Sequence, residues 1–229
     1  MLKRTAHTQL IILIDPDKYN PALVDLANTC KVSYIFFGGS VLKTTHFEKT
    51  LKAIKSKTSI PVIIFPGDEN QVSKHADGLL MLSLLSGRNA EYLIGKHVNA
   101  ASKIKASRLP VIPTAYILVD GGATSSTQKI TKTVPLSNKK DIINTVIAGE
   151  LLGKQLIYLE AGSGAKRTLT PALIKAVKQT TALPVIIGGG IDSMTKVRQI
   201  ISTNADYIVI GNALEKNPAL LTEINTLFI

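Results

Sequence analysis

Apolar residues gather along the chain in eight short runs that are rich in β-branched side chains, and none alternates cleanly between apolar and polar positions. Such a run is typical of a strand buried on both faces, and most of these runs are separated by segments with helical periodicity. Strands that alternate with helices form a parallel sheet. The predicted strands are Leu10–Ile14, Tyr34–Phe37, Pro61–Phe65, Gly78–Ser83, Ile112–Val119, Leu156–Glu160, Pro184–Ile187 and Tyr207–Ile210.

Two of the intervening segments carry the signals of a helix start. The segment Asn20–Cys30 begins with Asn-Pro, and the segment Thr170–Thr181 begins with Thr-Pro. In both, a residue that caps helix N-termini is followed by proline at the first helical position, where its missing N–H is no loss. Both segments are therefore predicted to be helices.

Two connections between strands depart from the helical pattern. The segment from Asp68 to Asp77 separates the third and fourth strands and is short for a crossover helix, so we expect that helix to be shortened or missing. The segment from Asp120 to Asn138 is rich in Gly, Ser, Thr and Lys and has no strong period. It is predicted to be a long loop at the carboxyl ends of the strands, where it would act as a mobile lid.

Eight parallel strands can close into a barrel or lie in an open doubly wound sheet, and the glycine positions separate the two. Glycines cluster after the second, sixth, seventh and eighth strands, whereas a dinucleotide-binding sheet would carry Gly-x-Gly-x-x-Gly after its first strand. Here the first strand ends in Asp15-Pro16-Asp17. The pattern predicts one α/β domain over residues 1–229, a (β/α)₈ or TIM barrel modified by the shortened or replaced helix after the third strand.

Composition indicates an interior of aliphatic side chains. Hydrophobic residues make up 45% of the 229 residues, aromatic residues only 5%, and Trp is absent, so Ile, Leu, Val and Ala must build the core. The apolar run Leu10–Ile14 stops at Asp15 and is too short for a signal peptide or a membrane span, which predicts a cytoplasmic protein. The single cysteine, Cys30, excludes an internal disulfide and is interpreted as a spectator rather than a nucleophile.

The formal net charge of +11 raises the question of a polyanionic partner. Lysines recur in separated stretches, usually where an amphipathic helix would face water, and no nucleic-acid-binding motif accompanies them. We therefore expect a solvated basic surface and no nucleic-acid partner. Attraction of anionic metabolites, and peripheral contact with lipid membranes without a transmembrane segment, are secondary expectations.

Glycine-rich turns after the seventh and eighth strands are the strongest local signal. The first is Gly188–Ser193 and the second is Gly211-Asn212-Ala213. Glycine lets backbone N–H groups approach an anion without an intervening Cβ, and the helix N-termini that follow add unpaired donors. Either turn alone would equally suit a tight strand-to-helix connection. Two adjacent turns at the usual phosphate position of a barrel predict a phosphorylated small-molecule ligand.

Side chains suited to catalysis end three other strands. Glu160 ends the sixth strand, where a buried carboxylate is costly unless it is paired or used; it is a candidate general base, and a helix cap or a lysine partner is the alternative. Asp15 and Ser40 end the first and second strands and offer oxygen ligands that suit Mg²⁺, although the run after Asp15 alone would also suit an ordinary turn. The four histidines lack metal-ligand spacing, which argues against a zinc site.

Seven motifs spread over nearly the whole chain share their order and spacing with an enzyme family. They are Ile14-Asp15-Pro16, Phe37–Ser40, Ile64–Gly67, Leu82–Ser86, Tyr158–Gly164, Gly188–Ile191 and Gly211-Asn212. Together they resemble the geranylgeranylglyceryl phosphate synthases, in the group with a Leu-Ile-Asp-Pro start, and Tyr158–Gly164 is the most distinctive. The resemblance implies a modified (β/α)₈ barrel with one helix replaced, in agreement with the short segment after Gly67.

This resemblance implies a prenyltransferase of ether phospholipid biosynthesis. Such an enzyme joins a polyprenyl diphosphate to the free primary hydroxyl of sn-glycerol 1-phosphate and releases diphosphate. It implies Mg²⁺ as cofactor, held by Asp15 and Ser40, and a homo-oligomer, either a dimer or a larger ring. Glu160 is our candidate to orient or deprotonate the glycerol hydroxyl. The implied glycerol phosphate ligands are Tyr158, Leu159, Glu160, Ala161, Gly162, Ser163, Gly164, Gly189, Gly190, Gly211 and Asn212.

Two departures from the family and two rival functions stay open. Leu13 stands where some members carry a lysine, so another cation, Lys18 or one on the lid, must help to neutralise phosphate. The lid begins Val119–Gly122 and reads Val-Asp-Gly-Gly where an acid-Pro-Gly-Gly run is more usual. The rivals are another phosphate-binding barrel, such as an isomerase of amino-acid biosynthesis, and a catalytically silent barrel that acts as a scaffold. The accepted prenyl chain length stays open as well.

Overall fold

The chain folds into a closed barrel of parallel strands. This computed structural model describes residues 2–43 and 45–228, and across them eight strands pair in sequence order, the last with the first. They are β1 (Gln9–Ile14), β2 (Val32–Phe37), β3 (Val62–Ile64), β4 (Gly78–Leu84), β5 (Val111–Leu118), β6 (Leu156–Glu160), β7 (Val185–Gly188) and β8 (Tyr207–Ile210). Each lies close to its predicted run, which confirms the fold class. The predicted domain of residues 1–229 extends beyond the described residues at both ends.

Helices surround the barrel on the outside. They are α1 (Pro21–Thr29), α2 (Phe47–Lys57), α3 (Lys96–Ser107), α4 (Ser126–Thr131), α5 (Lys139–Leu151), α6 (Pro171–Thr180), α7 (Met194–Ile201), α8 (Asn212–Lys216) and α9 (Leu220–Asn225). The two helices with a predicted start begin as expected. Asn20 Oδ1 accepts a hydrogen bond from the N–H of Ala22 at 3.0 Å, and Thr170 Oγ1 accepts one from the N–H of Leu173 at 3.3 Å.

The connection between β3 and β4 contains no helix, as its length predicts. Side-chain contacts fix its path instead. Asp77 Oδ2 accepts a hydrogen bond from the N–H of Val62 at 2.7 Å and forms an ion pair with Lys55 on α2 at 2.6 Å. Barrel strands β3 and β4 are therefore held in register without the packing of a crossover helix.

The segment from Asp120 to Asn138 differs from the prediction because it contains a helix, α4. The helix begins with a capping box: Ser125 Oγ accepts a hydrogen bond from the N–H of Gln128 at 3.2 Å, and Gln128 Oε1 accepts one from the N–H of Ser125 at 2.7 Å. A bridge between Val119 and Leu136 closes the segment at its base. Its six residues are too few to show a helical period in the sequence. Whether the segment moves as a lid stays a prediction.

The core has two layers, one inside the barrel and one between the strands and the helices. Inward-facing side chains such as Ile63, Tyr158 and Ile186 fill the barrel and are almost fully buried. Cys30 packs at the edge of the outer layer at the end of α1, consistent with a spectator. Because side chains fill the barrel interior, the space for a ligand within the described barrel lies at the carboxyl ends of the strands.

Candidate active site

A polar cavity of about 570 Å³ lies at the carboxyl ends of the strands. The ends of β1, β2, β6, β7 and β8 line it, and α4 forms part of its wall. It contains most of the residues predicted from sequence, namely Asp15, Ser40, Tyr158, Glu160, Gly162, Ser163, Gly164, Gly189, Gly190, Gly211 and Asn212. Leu159 and Ala161 do not line it, because their side chains pack into the outer layer of the core, and the N–H of Ala161 is already donated to Gly188 O at 2.9 Å.

Asp15 and Ser40 lie on neighbouring strand ends, as expected. Asp15 Oδ1 accepts a hydrogen bond from the N–H of Asp17 at 3.0 Å, and the backbone of Gly39 lies so close that a Cβ added there would be 3.0 Å from the same oxygen. Burial raises the pKa of Asp15 above its ordinary value, outweighing the hydrogen bond from Asp17 and the nearby Lys18 charge. A bound cation would favour the charged form of this carboxylate.

Gln71 is a site residue that sequence reasoning missed. Its side chain is fully buried and binds both backbone polar groups of one residue: Nε2 donates to Gly39 O at 2.7 Å, and Oε1 accepts from the N–H of Gly39 at 3.2 Å. This pair of hydrogen bonds fixes the backbone between Asp15 and Ser40. Gln71 lies in the irregular connection after β3, where nothing in the sequence distinguishes a buried polar residue from a solvated one.

The donor set at Asp15 and Ser40 suits Mg²⁺ only in part. One carboxylate and one hydroxyl are hard oxygen ligands, but a six-coordinate ion needs water or substrate phosphate for its remaining positions. Across residues 2–43 and 45–228, no group of three or more His, Cys, Asp or Glu side chains could hold a metal ion. The residues therefore fit an ion that arrives with a phosphorylated substrate rather than one that is enclosed by protein.

The turns after β6, β7 and β8 form the next part of the cavity lining, since β8 pairs with β1. Gly189 has φ +84, and a Cβ there would lie 2.3 Å from Glu160 Oε1 and 2.6 Å from the nitrogen of Gly162, so only glycine fits. Asn212 Nδ2 donates to Ser163 Oγ at 2.9 Å and ties the β8 turn to the β6 turn. The three turns thus form one continuous polar wall with close access to backbone.

Glu160 is buried beside this wall, with 8% of its surface exposed. Its Oε1 accepts a hydrogen bond from the N–H of Gly162 at 2.8 Å, and the hydroxyl of Tyr158 also hydrogen-bonds the carboxylate. Burial raises the pKa of Glu160 to about 7, although both hydrogen bonds act in the opposite direction. A carboxyl group that titrates near neutral pH can accept and return a proton during a reaction.

A second, apolar cavity of about 130 Å³ adjoins the polar one on the side of β3, β4 and β5. Leu79, Leu80, Met81 and Leu82 form one wall, and α3 with the turn before it forms the far wall. The two cavities share the six residues Gly39, Ser40, Phe65, Tyr116, Thr127 and Ile130. Sequence reasoning missed this cavity, because apolar residues that line a cavity look the same in a sequence as apolar residues of a packed core.

Four lysines line the polar cavity, and they differ in their partners. Lys18 forms an ion pair with Glu215 at 2.8 Å and lies 3.8 Å from Asp15. Lys43, Lys129 and Lys216 have no carboxylate within 4.0 Å among the described residues. The side chain of Leu13 packs against Gly211, where a Cβ would lie 3.3 Å from it, and fills the floor of the cavity.

A family model and several known proteins resemble this chain. Residues 3–227 match a model described as the PcrB family. A geranylgeranylglyceryl phosphate synthase from Chitinophaga pinensis is 46% identical over 219 residues, 93% of this chain and 87% of that protein. One from Pyrococcus furiosus is 38% identical over 209 residues, 89% of this chain and 83% of that protein. The crystal structure of (S)-3-O-geranylgeranylglyceryl phosphate synthase from Thermoplasma acidophilum in complex with the substrate sn-glycerol-1-phosphate has a TM-score of 0.90 at 30% identity, covering 97% of this chain and 94% of that chain.

Proposed function

This chain belongs to the PcrB family, and on that premise we propose that it joins a geranylgeranyl-type prenyl diphosphate to sn-glycerol 1-phosphate, with release of diphosphate. The observation that carries the proposal is that the polar, glycine-walled cavity adjoins an apolar one and shares six lining residues with it. A reaction between a small phosphorylated alcohol and a long hydrocarbon chain needs both kinds of space, side by side. The division into a polar and an apolar cavity allows the positions of both substrates and of the proton acceptor to be assigned.

The glycerol phosphate occupies the polar wall formed by the β6, β7 and β8 turns. Backbone N–H groups at glycine turns and at the N-termini of the following helices bind phosphate without a charged side chain. Ser163 and Asn212, which are hydrogen-bonded to each other, add a hydroxyl and an amide on the same wall. In this pose the glycerol hydroxyls point toward Glu160, the buried carboxylate of the wall.

Diphosphate lies on the side of Asp15 and Ser40, between the wall and the apolar cavity. When bound there, Mg²⁺ would neutralise charge on the departing diphosphate. Lys18 is already paired with Glu215, so we assign the additional neutralising charge to Lys43 and to Lys129 on α4. In this assignment the two lysines supply the positive charge that Leu13 lacks, because they line the same cavity as Asp15 and Ser40.

Glu160 orients the attacking hydroxyl and accepts its proton. The hydrogen bonds from Gly162 and Tyr158 hold the carboxylate in place, and burial keeps its basicity high. A base with a pKa near the working pH combines a substantial ionised fraction with useful proton affinity. On this assignment Asp15 and Ser40 hold the metal, and Glu160 transfers the proton.

The two rival functions fit the geometry less well. An isomerase acting on a polar sugar phosphate would not require the apolar cavity that adjoins the polar one. A silent scaffold would not need a buried carboxyl group whose pKa is raised to about 7. Such a group lowers the free energy of unfolding at neutral pH and would serve no function there. Neither alternative is favoured by the relatives that the chain matches.

The direct test is product formation from defined substrates. Purified chain is incubated with sn-glycerol 1-phosphate and prenyl diphosphates of increasing length, and products are identified by mass. We expect an ether-linked prenylglyceryl phosphate and released diphosphate, with a chain-length preference set by the apolar cavity. Failure to convert any member of the series, under conditions where the chain is folded, would overturn the proposed function.

The metal proposal is tested separately with Asp15→Asn. An amide cannot supply the negative charge that holds Mg²⁺ against water, so we expect prenyl transfer to disappear while the fold is retained. Activity is measured against Mg²⁺ concentration, and circular dichroism checks the fold. Full activity at the same Mg²⁺ concentration would show that the ion, if required, is held elsewhere.

We also propose that the chain forms a homo-oligomer. Exposed apolar side chains that self-association would cover lie on α3 and at the end of α5, namely Val98 (65% exposed), Leu151 (83%) and Leu152 (68%). Light scattering during size exclusion measures the assembly. No described helix combines the length and apolarity that crossing a bilayer requires, and peripheral contact with lipid stays a secondary proposal.

A further inference from the structure

The reacting carbon of the prenyl substrate must lie where the two cavities meet. Its diphosphate group belongs in the polar cavity near Asp15 and Ser40, and its hydrocarbon chain belongs in the apolar one. The allylic carbon connects the two and so occupies their junction. Of the six residues shared by both cavities, Phe65 and Tyr116 are the two with aromatic side chains.

These two rings form a corner that further aromatic residues hold from behind. The ring centroids of Phe65 and Tyr116 are 5.9 Å apart and their planes meet at 70°. Phe36 stacks on Phe65 at 6.0 Å with an interplanar angle of 4°, and Tyr158 packs edge-on against Tyr116 at 5.3 Å. The hydroxyl of Tyr116 is hydrogen-bonded to Thr127 on α4, which fixes the orientation of its ring. Both rings are therefore preorganised before substrate binds.

We propose that Phe65 and Tyr116 are catalytic residues whose π faces flank the allylic carbon and stabilise the positive charge that develops on it. The proposal rests on the proposed function. As the allylic carbon–oxygen bond breaks, its electron pair leaves with diphosphate; the glycerol hydroxyl supplies the pair for the new ether bond, and its proton passes to Glu160. Aromatic faces carry negative partial charge and attract a cation most strongly where water is excluded.

Other groups at the junction are poorly suited to this task. Ser40 and Thr127 present hydroxyl oxygens, which would attack a cationic carbon, and Ile130 is apolar without a π face. A carboxylate at the carbon would also capture it. An aromatic face attracts positive charge without offering a lone pair for bond formation, so it stabilises the developing cation and leaves the reaction with glycerol as the productive outcome.

Graded fluorination of the Phe65 ring tests the proposal. Fluorine withdraws electron density from the π face while changing the size of the ring only slightly. We therefore replace Phe65 by 4-fluoro-, 3,5-difluoro- and 3,4,5-trifluorophenylalanine through site-specific incorporation. If the face stabilises the cation, kcat should fall stepwise with fluorination, by about tenfold to thirtyfold in total, with little change in the Michaelis constant of either substrate.

Phe37 provides the matched control, because it is fully buried in the outer core layer, packs against Phe47 and does not line either cavity. The same fluorinated series at Phe37 should leave kcat within about twofold, which tests whether fluorination acts only through folding. Tyr116→Phe keeps a ring and should retain most of kcat, whereas Tyr116→Leu should lose about tenfold or more.

The results separate three outcomes. A stepwise fall at Phe65 with none at Phe37 supports the proposal. Equal kcat across the Phe65 series, or equal loss for Tyr116→Phe and Tyr116→Leu, overturns it and assigns the rings to packing alone, while prenyl transfer by the unmodified chain still stands. An unmodified chain that forms no product overturns the proposed function and this proposal with it.

Discussion

At the residue scale, the proposed role of Glu160 as general base leads to the most direct predictions. Its carboxylate must be ionised to accept a proton, yet burial raises its pKa to about 7. We expect Glu160→Gln to reduce kcat by roughly 10²–10⁴-fold, the usual range for a lost general base, with small changes in the Michaelis constants. Steady-state kinetics with both substrates measures the effect. Turnover within about twofold of the parent would assign proton removal to water or diphosphate.

The pH dependence of the same variant gives an independent check. Below pH 7 the wild-type carboxyl group becomes protonated and cannot act as a base, so kcat/KM should fall as the pH is lowered through about 7. The residual activity of Glu160→Gln should not show this fall at low pH. A fall with the same midpoint pH in both proteins would be caused by another titratable group.

Glu160 should also lower the stability of the fold at neutral pH. In the unfolded chain its pKa returns to about 4.5, so between pH 4.5 and 7 the folded state binds more protons, and the free energy of unfolding falls as the pH rises. Glu160→Gln removes this loss and should raise the free energy of unfolding by about 2–3 kcal/mol at pH 8 and by much less at pH 5. Urea denaturation at both pH values measures the difference. Equal effects at pH 5 and pH 8 would contradict the linkage.

At the element scale, α4 places the segment from Asp120 to Asn138 against both cavities. Thr127 and Ile130 on this helix line the junction, and Lys129 faces the polar cavity. A helix of six residues is not stable by itself, so it depends on its cap at Ser125. Loss of that cap costs about 1 kcal/mol and should release the helix from the cavity wall.

We therefore expect Ser125→Ala to raise the Michaelis constant for the prenyl diphosphate severalfold and to leave that for glycerol phosphate nearly unchanged. Thr170→Ala is the control, because it removes an equivalent N-cap bond from α6, which does not line either cavity. Substrate saturation curves for the two variants separate the cases. Equal changes in both Michaelis constants would show that α4 does not act on the prenyl side alone.

The elements show which parts of the structure the sequence can predict. The strands and the capped starts of α1 and α6 depend on local patterns, so they were found close to their true bounds. The polar wall of the cavity was predicted because glycine turns mark it. Gln71 and the apolar cavity were missed, because each depends on contacts between distant segments that no local pattern records.

At the scale of the whole molecule, closure of the barrel brings residues from separate sequence motifs to one cavity. Asp15 and Glu160 lie far apart in sequence, and only the pairing of β1 with β8 and β2 places both around one cavity. The sequence predicted this closure from strand count and glycine position, so the fold and the polar half of the site followed. The apolar half did not, since its shape depends on how α3 and α4 pack against the barrel.

The adjacency of the two cavities has a consequence for the end of the reaction. On the proposed assignment the ether product would occupy both cavities at once, with the phosphate contacts at the glycine turns and the apolar contacts of the chain made by a single molecule. Two linked ends bind together far more tightly than either substrate alone, because release of one leaves the other in place at high effective concentration. Dissociation of product should therefore be slower than dissociation of either substrate. Competition measurements should give the product an inhibition constant below the Michaelis constants of both substrates, and lipid vesicles that accept the product should relieve the inhibition.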